Sequence, residues 1–349
     1  MRVLVTDDSA FMRRAVCTML SADPDIEVVG TAQNGKVAVD LAKTLKPDVI
    51  TLDIEMPEMD GLTALRHIMR TAPTQVLMLS SLTTEGSTAS LQALKLGAAD
   101  VLAKDQSNFS MNMSKLQTKL IGLVKALAES NPHRVSTTAK PAPPSKGVPS
   151  FRSSQFDLVC IGSSTGGPPV LETILGALPA TVRPPIVIAQ HMPEIFTRSM
   201  AERLDNMCAL GVVHVDERET IKSGYIYLAR GGKHIHIHKL SSGRLEARIG
   251  TEPAEAVYRP SVDALFSSAA KATAARTLAV VLTGIGADGL KGGKELHSAG
   301  GTIIAQNQGS CVVYGMPKSV TEAGITTASL SPIDIGKSLA TLSTSAAAA

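Results

Sequence analysis

Apolar residues gather along this chain in short runs that end in a polar residue or glycine and give way to amphipathic segments such as GLTALRHIM. In the first half the strand-like runs are Arg2 to Thr6, Ile26 to Val29, Val49 to Leu52, Gln75 to Leu79 and Asp100 to Ala103. Five such strand-helix units predict a doubly wound parallel sheet with its site at the carboxyl ends of the strands. The second half alternates again, with runs at Leu158 to Ile161, Pro185 to Ala189, Tyr225 to Leu228 and Leu278 to Leu282. Between the halves, NPHRVSTTAKPAPPSKGVPSFRSSQ has no apolar periodicity and is rich in Pro, Ser, Thr and Lys, the composition of a linker. The expected fold is therefore α/β: a (βα)5 doubly wound unit over 1–128, a flexible linker over 129–155, and a second doubly wound parallel-sheet α/β unit over 156–349. The terminal TSAAAA reads as a frayed tail.

Composition narrows the class. With 349 residues the chain is too long for one core, and 44% hydrophobic against 19% charged residues is a soluble, globular balance. No run of 18 apolar residues occurs and MRVLVTDDS reads as a charged strand, so a cytoplasmic protein without membrane insertion is expected. A formal charge of +3, few aromatics and no Trp give no support for nucleic-acid binding. Neither a helix-turn-helix nor a basic face follows the linker, which argues against a DNA-binding regulator. Cys17, Cys160, Cys208 and Cys311 form no CxxC pair and read as reduced thiols.

Polar residues in the first half collect where the strands end: Asp7 and Asp8 after the first, Asp53 after the third, Ser80 after the fourth and Lys104 after the fifth. Three carboxylates at one sheet edge repel one another unless a hard divalent cation sits among them, and oxygen ligands suit Mg²⁺. GTAQNGKV, at 30–37, imitates a P-loop but ends in Val37 where Ser or Thr must reach the metal, so it is a turn and helix start. With Asp53 followed by IEMPEMDG, residues 1 to about 128 resemble a response-regulator receiver domain. That resemblance implies that Asp53 accepts a phosphoryl group from a histidine kinase. Asp7, Asp8 and Asp53 would hold Mg²⁺, Ser80 would hydrogen-bond the phosphoryl oxygens and Lys104 would pair with them. Two positions depart from the family pattern: Asp105 follows the lysine in place of Pro, and Val101 stands where an aromatic is frequent.

The second half is organised around VCIGSSTGG, at 159–167, where an apolar strand runs into glycines and a helix start. The register Gly162-x-Ser164-x-Gly166 matches a nucleophile elbow, which exposes a serine hydroxyl at a strand end. Helix-start N–H groups there can stabilise a negative oxygen. A serine nucleophile needs a base and the base an orienting carboxylate. His191 follows PIVIAQ and Asp288 follows LAVVLTGIGA, so three strand ends bring Ser164, His191 and Asp288 to one rim. His297, the second choice for the base, lies in a helix-like segment. His234, His236 and His238 alternate along KHIHIH, which favours a half-exposed strand over a metal site because ligands on one flat strand diverge.

Four motifs, IGSSTGG, AQHMPEIFT, YRPSVDALF and LTGIGADG, resemble those of the catalytic domain of chemotaxis protein-glutamate methylesterases over residues 156 to about 347. Together with the receiver pattern, the whole chain resembles the CheB family. This implies Ser164 as nucleophile, His191 as general base and Asp288 as its orienter, with the Ile285 N–H as an oxyanion donor and Thr165 packed close to the imidazole or helping at the same site. The implied reaction, which needs no cofactor, is hydrolysis of glutamyl methyl esters, with deamidation of glutamines, on the cytoplasmic helices of chemoreceptors. An unphosphorylated receiver is expected to restrain that site. Two rival readings are a general serine esterase under two-component control and a non-enzymatic receptor-binding adaptor. The choice of Ser164 over Ser163 rests on the elbow register and the resemblance.

Overall fold

A computed structural model describes residues 1–81, 83–104, 109–130 and 147–343, leaving aside the side chains of 109–113. Asp105, most of the expected linker and the TSAAAA tail lie outside the described residues. The chain divides into two compact units, Met1–Pro141 and Ala142–Ala349.

The first unit runs β1 (Arg2–Thr6), α1 (Ala10–Leu20), β2 (Glu27–Ala32), α2 (Gly35–Leu45), β3 (Val49–Asp53), α3 (Gly61–Thr71), β4 (Gln75–Ser81), α4 (Thr84–Lys95), β5 (Asp100–Lys104) and α5 (Phe109–Glu129). Its sheet is parallel, in the order β2-β1-β3-β4-β5. The central strand β3 is buried along its whole length whereas the edge strand β2 is largely half-exposed, as helices on both faces require. Four of the helices start on side-chain caps, at Ser9, Asn34, Asp60 and Thr83, each accepting a hydrogen bond from an N–H in the first turn. The Asn34 cap, bonded to the Val37 N–H at 3.0 Å, makes the P-loop imitation a turn and helix start.

The second unit begins β6 (Leu158–Ser163), α6 (Gly167–Gly176), β7 (Ile186–Gln190), α7 (Glu194–Met207), β8 (Gly211–Val215), β9 (Arg218–Thr220), β10 (Tyr225–Ala229), β11 (His234–Lys239) and β12 (Leu245–Gly250). It continues α8 (Val262–Thr273), β13 (Thr277–Val281), α9 (Leu290–Ser298), β14 (Thr302–Gln306), α10 (Met316–Glu322), β15 (Ala328–Leu330) and α11 (Pro332–Ala340). Its main sheet is parallel, in the order β15-β14-β13-β6-β7-β10-β8. Strands β9, β11 and β12 form a separate antiparallel sheet that periodicity did not anticipate beyond the KHIHIH strand. Strands β6, β7 and β13 sit side by side at the centre and are entirely buried. From β6 the chain crosses to β7 on one side and from β13 to β14 on the other, so the crevice at their carboxyl ends is a topological switch point.

Candidate active site

The register of β6 against β7 pairs Ser163 with Gln190, so Ser164 and His191 leave neighbouring strands side by side. The His191 N–H donates to the Ser163 carbonyl at 3.0 Å, and Gln190 Nε2 donates to the Ser164 carbonyl at 3.0 Å. On the other side, the Ser164 N–H donates to the Thr283 carbonyl at 3.0 Å, tying the elbow to the end of β13. Glycine is required around this elbow. Gly166 has φ 75°, a left-handed turn that sends the chain into α6, and a Cβ on Gly284 would stand 2.6 Å from the Ser164 Cβ. The two serines are treated differently. Ser163 is wholly buried, and a Cβ on Gly167 would collide with its Oγ at 2.0 Å, whereas Ser164 keeps 7% of its surface open.

His191 Nε2 lies 2.8 Å from Asp288 Oδ2, with both side chains under a tenth exposed. A carboxylate only accepts, so Nε2 carries the proton and Nδ1 is left as the basic nitrogen. That Nδ1 is buried and has no hydrogen-bond partner among the described residues, which leaves its lone pair available to act as a base. Asp288 also accepts from the Val262 N–H at 2.7 Å, the Asp263 N–H at 2.9 Å and Ser261 Oγ at 3.0 Å. It is thus seated on the N-terminus of α8, where the orphan N–H groups and the helix dipole favour an anion. Burial alone would raise its carboxyl, but the His191 bond and charge and these N–H groups outweigh it and hold it below the ordinary range.

Support behind Asp288 comes from residues that sequence reasoning missed. Ser261 caps α8 through the Ala264 N–H while its hydroxyl bonds Asp288. Its N–H donates to His234 Nδ1 at 3.1 Å, and His234 is fully buried. Burial, then the neighbouring His236 and Arg259, keep His234 below the usual imidazole range. Asp263 Oδ1 accepts from the N–H groups of Gly289 and Gly292, at 2.9 and 2.8 Å, capping α9 from outside. Burial, helped by the Asp288 charge, pushes the Asp263 carboxyl up to about 6. Tyr258 stacks on His191, centroids 4.3 Å apart and planes 8° from parallel. The cap was readable, since Ser261 precedes an apolar helix in PSVDALF, but its second bond was not.

The remaining expected positions fall as follows. Thr165 is buried beside Ser164, and its carbonyl accepts from Thr283 Oγ1 at 2.9 Å. Ile285 is half-buried in the turn after β13, and no hydrogen bond from its N–H is present among the described residues. His297 is exposed on α9 and is not brought to the rim. Burial along β11 falls from His234 through His236 to the exposed His238, and no metal-binding group forms there among the described residues.

In the first unit, ligand oxygens of Asp7, Asp8 and Asp53 lie within 4.8 Å of one another, Asp8 exposed and the other two buried. Lys104 Nζ reaches Asp53 Oδ1 at 2.7 Å and Asp7 Oδ2 at 3.3 Å. Burial pushes the Asp53 carboxyl up to about 6; Lys104 opposes that rise and Asp7 adds to it. Three hard oxygen donors around one space fit a divalent cation such as Mg²⁺. Ser80 is not joined to this cluster: its hydroxyl donates to the Gly86 carbonyl at 3.1 Å and accepts from Ser90 Oγ at 2.9 Å. Val101 lies in β5, paired with Met78.

Comparison with known proteins agrees with both units. Residues 159–339 match the family model for CheB methylesterase, and residues 3–113 match that for the response regulator receiver domain. A protein-glutamate methylesterase/protein-glutamine glutaminase of Oleidesulfovibrio alaskensis is 44% identical over 93% of this chain and 94% of its own. One from Pseudomonas putida is 43% identical over 97% and 98%. The crystal structure of the Thermotoga maritima CheB methylesterase catalytic domain superposes with a TM-score of 0.52 at 40% identity, covering 54% of this chain and 98% of that one.

Proposed function

The chain belongs to the CheB methylesterase family, and on that premise we propose that it is a receiver-controlled protein-glutamate methylesterase and protein-glutamine glutaminase. Its substrates are γ-methyl glutamyl esters and glutamines on the cytoplasmic part of chemoreceptors, and it works in the cytoplasm. Among the described residues no helix is long and apolar enough to cross a membrane. The observation that carries the catalytic reading is the buried His191–Asp288 pair with its unbonded Nδ1, beside the strand end that bears Ser164.

In this reading His191 Nδ1 takes the proton of Ser164 Oγ as that oxygen attacks the ester carbonyl carbon. The Ile285 N–H, in the turn that packs against Ser164 through Gly284, donates to the oxyanion. When the tetrahedral adduct collapses, the carbon–methoxy bond breaks and the proton on Nδ1 leaves with methanol. Water, deprotonated by the same nitrogen, then hydrolyses the acyl-enzyme to a free glutamate and restores Ser164. From a glutamine the leaving group is ammonia. Asp288 keeps the Nε2 proton in place and offsets the imidazolium charge.

Asp53 is the proposed phosphoacceptor, supplied by a histidine kinase. Asp7, Asp8 and Asp53 would hold Mg²⁺, which when bound offsets the charge gathering on the phosphoryl oxygens. Lys104 pairs with the same oxygens. For Ser80 to turn to a phosphoryl group it must give up the Gly86 carbonyl and the Ser90 hydroxyl, so phosphorylation loosens the start of α4. The test is methanol release from membranes carrying methylated receptors. The wild-type chain is expected to release methanol, Ser164→Ala none, and Asp53→Asn only an unstimulated rate. Release by Ser164→Ala but not by Ser163→Ala would overturn the elbow register.

A further inference from the structure

The reaction asks one thing of His191 that Asp288 alone does not secure. A single hydrogen bond at Nε2 fixes one corner of the imidazole but leaves its plane free to tilt about the Nε2···Asp288 line. The reaction requires Nδ1 to be presented to the Ser164 hydroxyl. On the face of that ring lies Tyr258, 4.3 Å away between centroids and within 8° of parallel. Its hydroxyl reaches the turn after β13, for a Cβ placed on Gly286 would come 3.6 Å from the phenol oxygen. Gly286 follows Ile285, so one side chain touches both the base and the turn proposed to hold the oxyanion.

The segment that carries Tyr258 is itself tied down. The Ala256 N–H donates to the Pro253 carbonyl at 3.2 Å, Arg259 donates to the Ala254 carbonyl at 2.6 Å, and the Gly232 N–H donates to the Arg259 carbonyl at 3.1 Å. His236 Nε2 bonds the Glu252 carbonyl at 2.9 Å. Immediately beyond Tyr258, Ser261 and Val262 bond Asp288. The wall and the orienting carboxylate are therefore set by one continuous stretch of chain.

We propose that Tyr258 is a positioning residue for the base, its ring holding the plane of His191 so that the unbonded Nδ1 can be presented to Ser164 during the reaction. It rests on the reading of His191 as general base. Stacking also places the negative face of the phenol against the imidazole, where it favours the positive charge that forms when Nδ1 takes the serine proton.

The test uses the full chain and two readouts: the rate at which a fluorophosphonate labels Ser164, and kcat and KM for methanol release. Tyr258→Leu is expected to slow labelling and lower kcat by about tenfold, the scale of a desolvated ring–cation contact, with KM changed little. Tyr258→Phe keeps the ring and is expected to recover most of that loss. Thermal melting checks that both variants fold. Labelling of Tyr258→Leu at the wild-type rate overturns the proposal, as does equal damage in Tyr258→Phe, which would assign the effect to the hydroxyl. Wild-type chain that labels but releases no methanol would refute the substrate reading, while the labelling rates still decide the role of Tyr258. A wild-type serine that does not label at all overturns both.

Discussion

Asp288 is a carboxylate with its acceptor positions filled: His191, Ser261 Oγ and two N–H groups of α8 converge on it. An amide cannot accept all of these, and its NH₂ would face a donor. Asp288→Asn should therefore lower kcat by about 10⁴, the scale set by orienting carboxylates in serine hydrolases, with the chain still folded; a loss under tenfold would deny it that role. Asp263 gives a different signal. Its carboxyl stands at about 6 rather than the ordinary 3.8, so the folded chain holds that proton longer than the unfolded one. Stability is then lost as pH rises from about 4 through about 6. Asp263→Asn can still accept from Gly289 and Gly292, and it should remove this loss. Its melting temperature should match the wild type at pH 4 and exceed it by about 2–4 °C at pH 8, on the order of 1 kcal/mol after solvent screening. A difference independent of pH would exclude the carboxyl as its source.

At the scale of elements, the site is made by three strand ends and by the helix starts that face them. Neither α6 nor α9 has a side-chain cap of its own; each begins at a glycine with positive φ, Gly166 and Gly289. That keeps side chains out of the rim and brings backbone close to Ser164. The glycine that meets Ser164 itself is Gly284, where a Cβ would stand 2.6 Å from the Ser164 Cβ and 2.4 Å from Met316 Sδ. Gly284→Ala must displace the serine or α10. The expected result is a modest loss of stability, about 1–3 kcal/mol as for overpacked cores and read as a lower melting temperature, with a much larger loss of serine labelling. Unchanged labelling would mean that the turn and the serine move independently.

For the whole molecule, control passes between two compact units, each with its chemistry at the carboxyl edge of a parallel sheet. A phosphoryl group on Asp53 would add up to about two negative charges to a buried cluster that already holds Asp7 and Lys104. Adding a small phosphodonor with Mg²⁺ to the full chain should raise the esterase rate severalfold. EDTA should abolish the rise, and Asp53→Asn should show none. Equal rates in all conditions would remove the receiver from control of the esterase.

Sequence alone determined the two α/β units, all five receiver strands to within a few residues, and the strand ends that bear Asp7, Asp53, Ser164 and His191. It could do so because parallel strands buried on both faces are short apolar runs, and their sites must follow where the runs stop. Only the tertiary structure decided which nitrogen of His191 is free, that Ser80 is bonded to α4, and that Ser261, His234 and Tyr258 stand behind or against the His191–Asp288 pair. Apart from the local Ser80 bonds, those relations join β7, β11, the stretch before α8 and the loop after β13, with His191 and Asp288 97 positions apart. Hydrophobic periodicity reports which face of an element is buried; it carries no information on which distant polar atom that face meets.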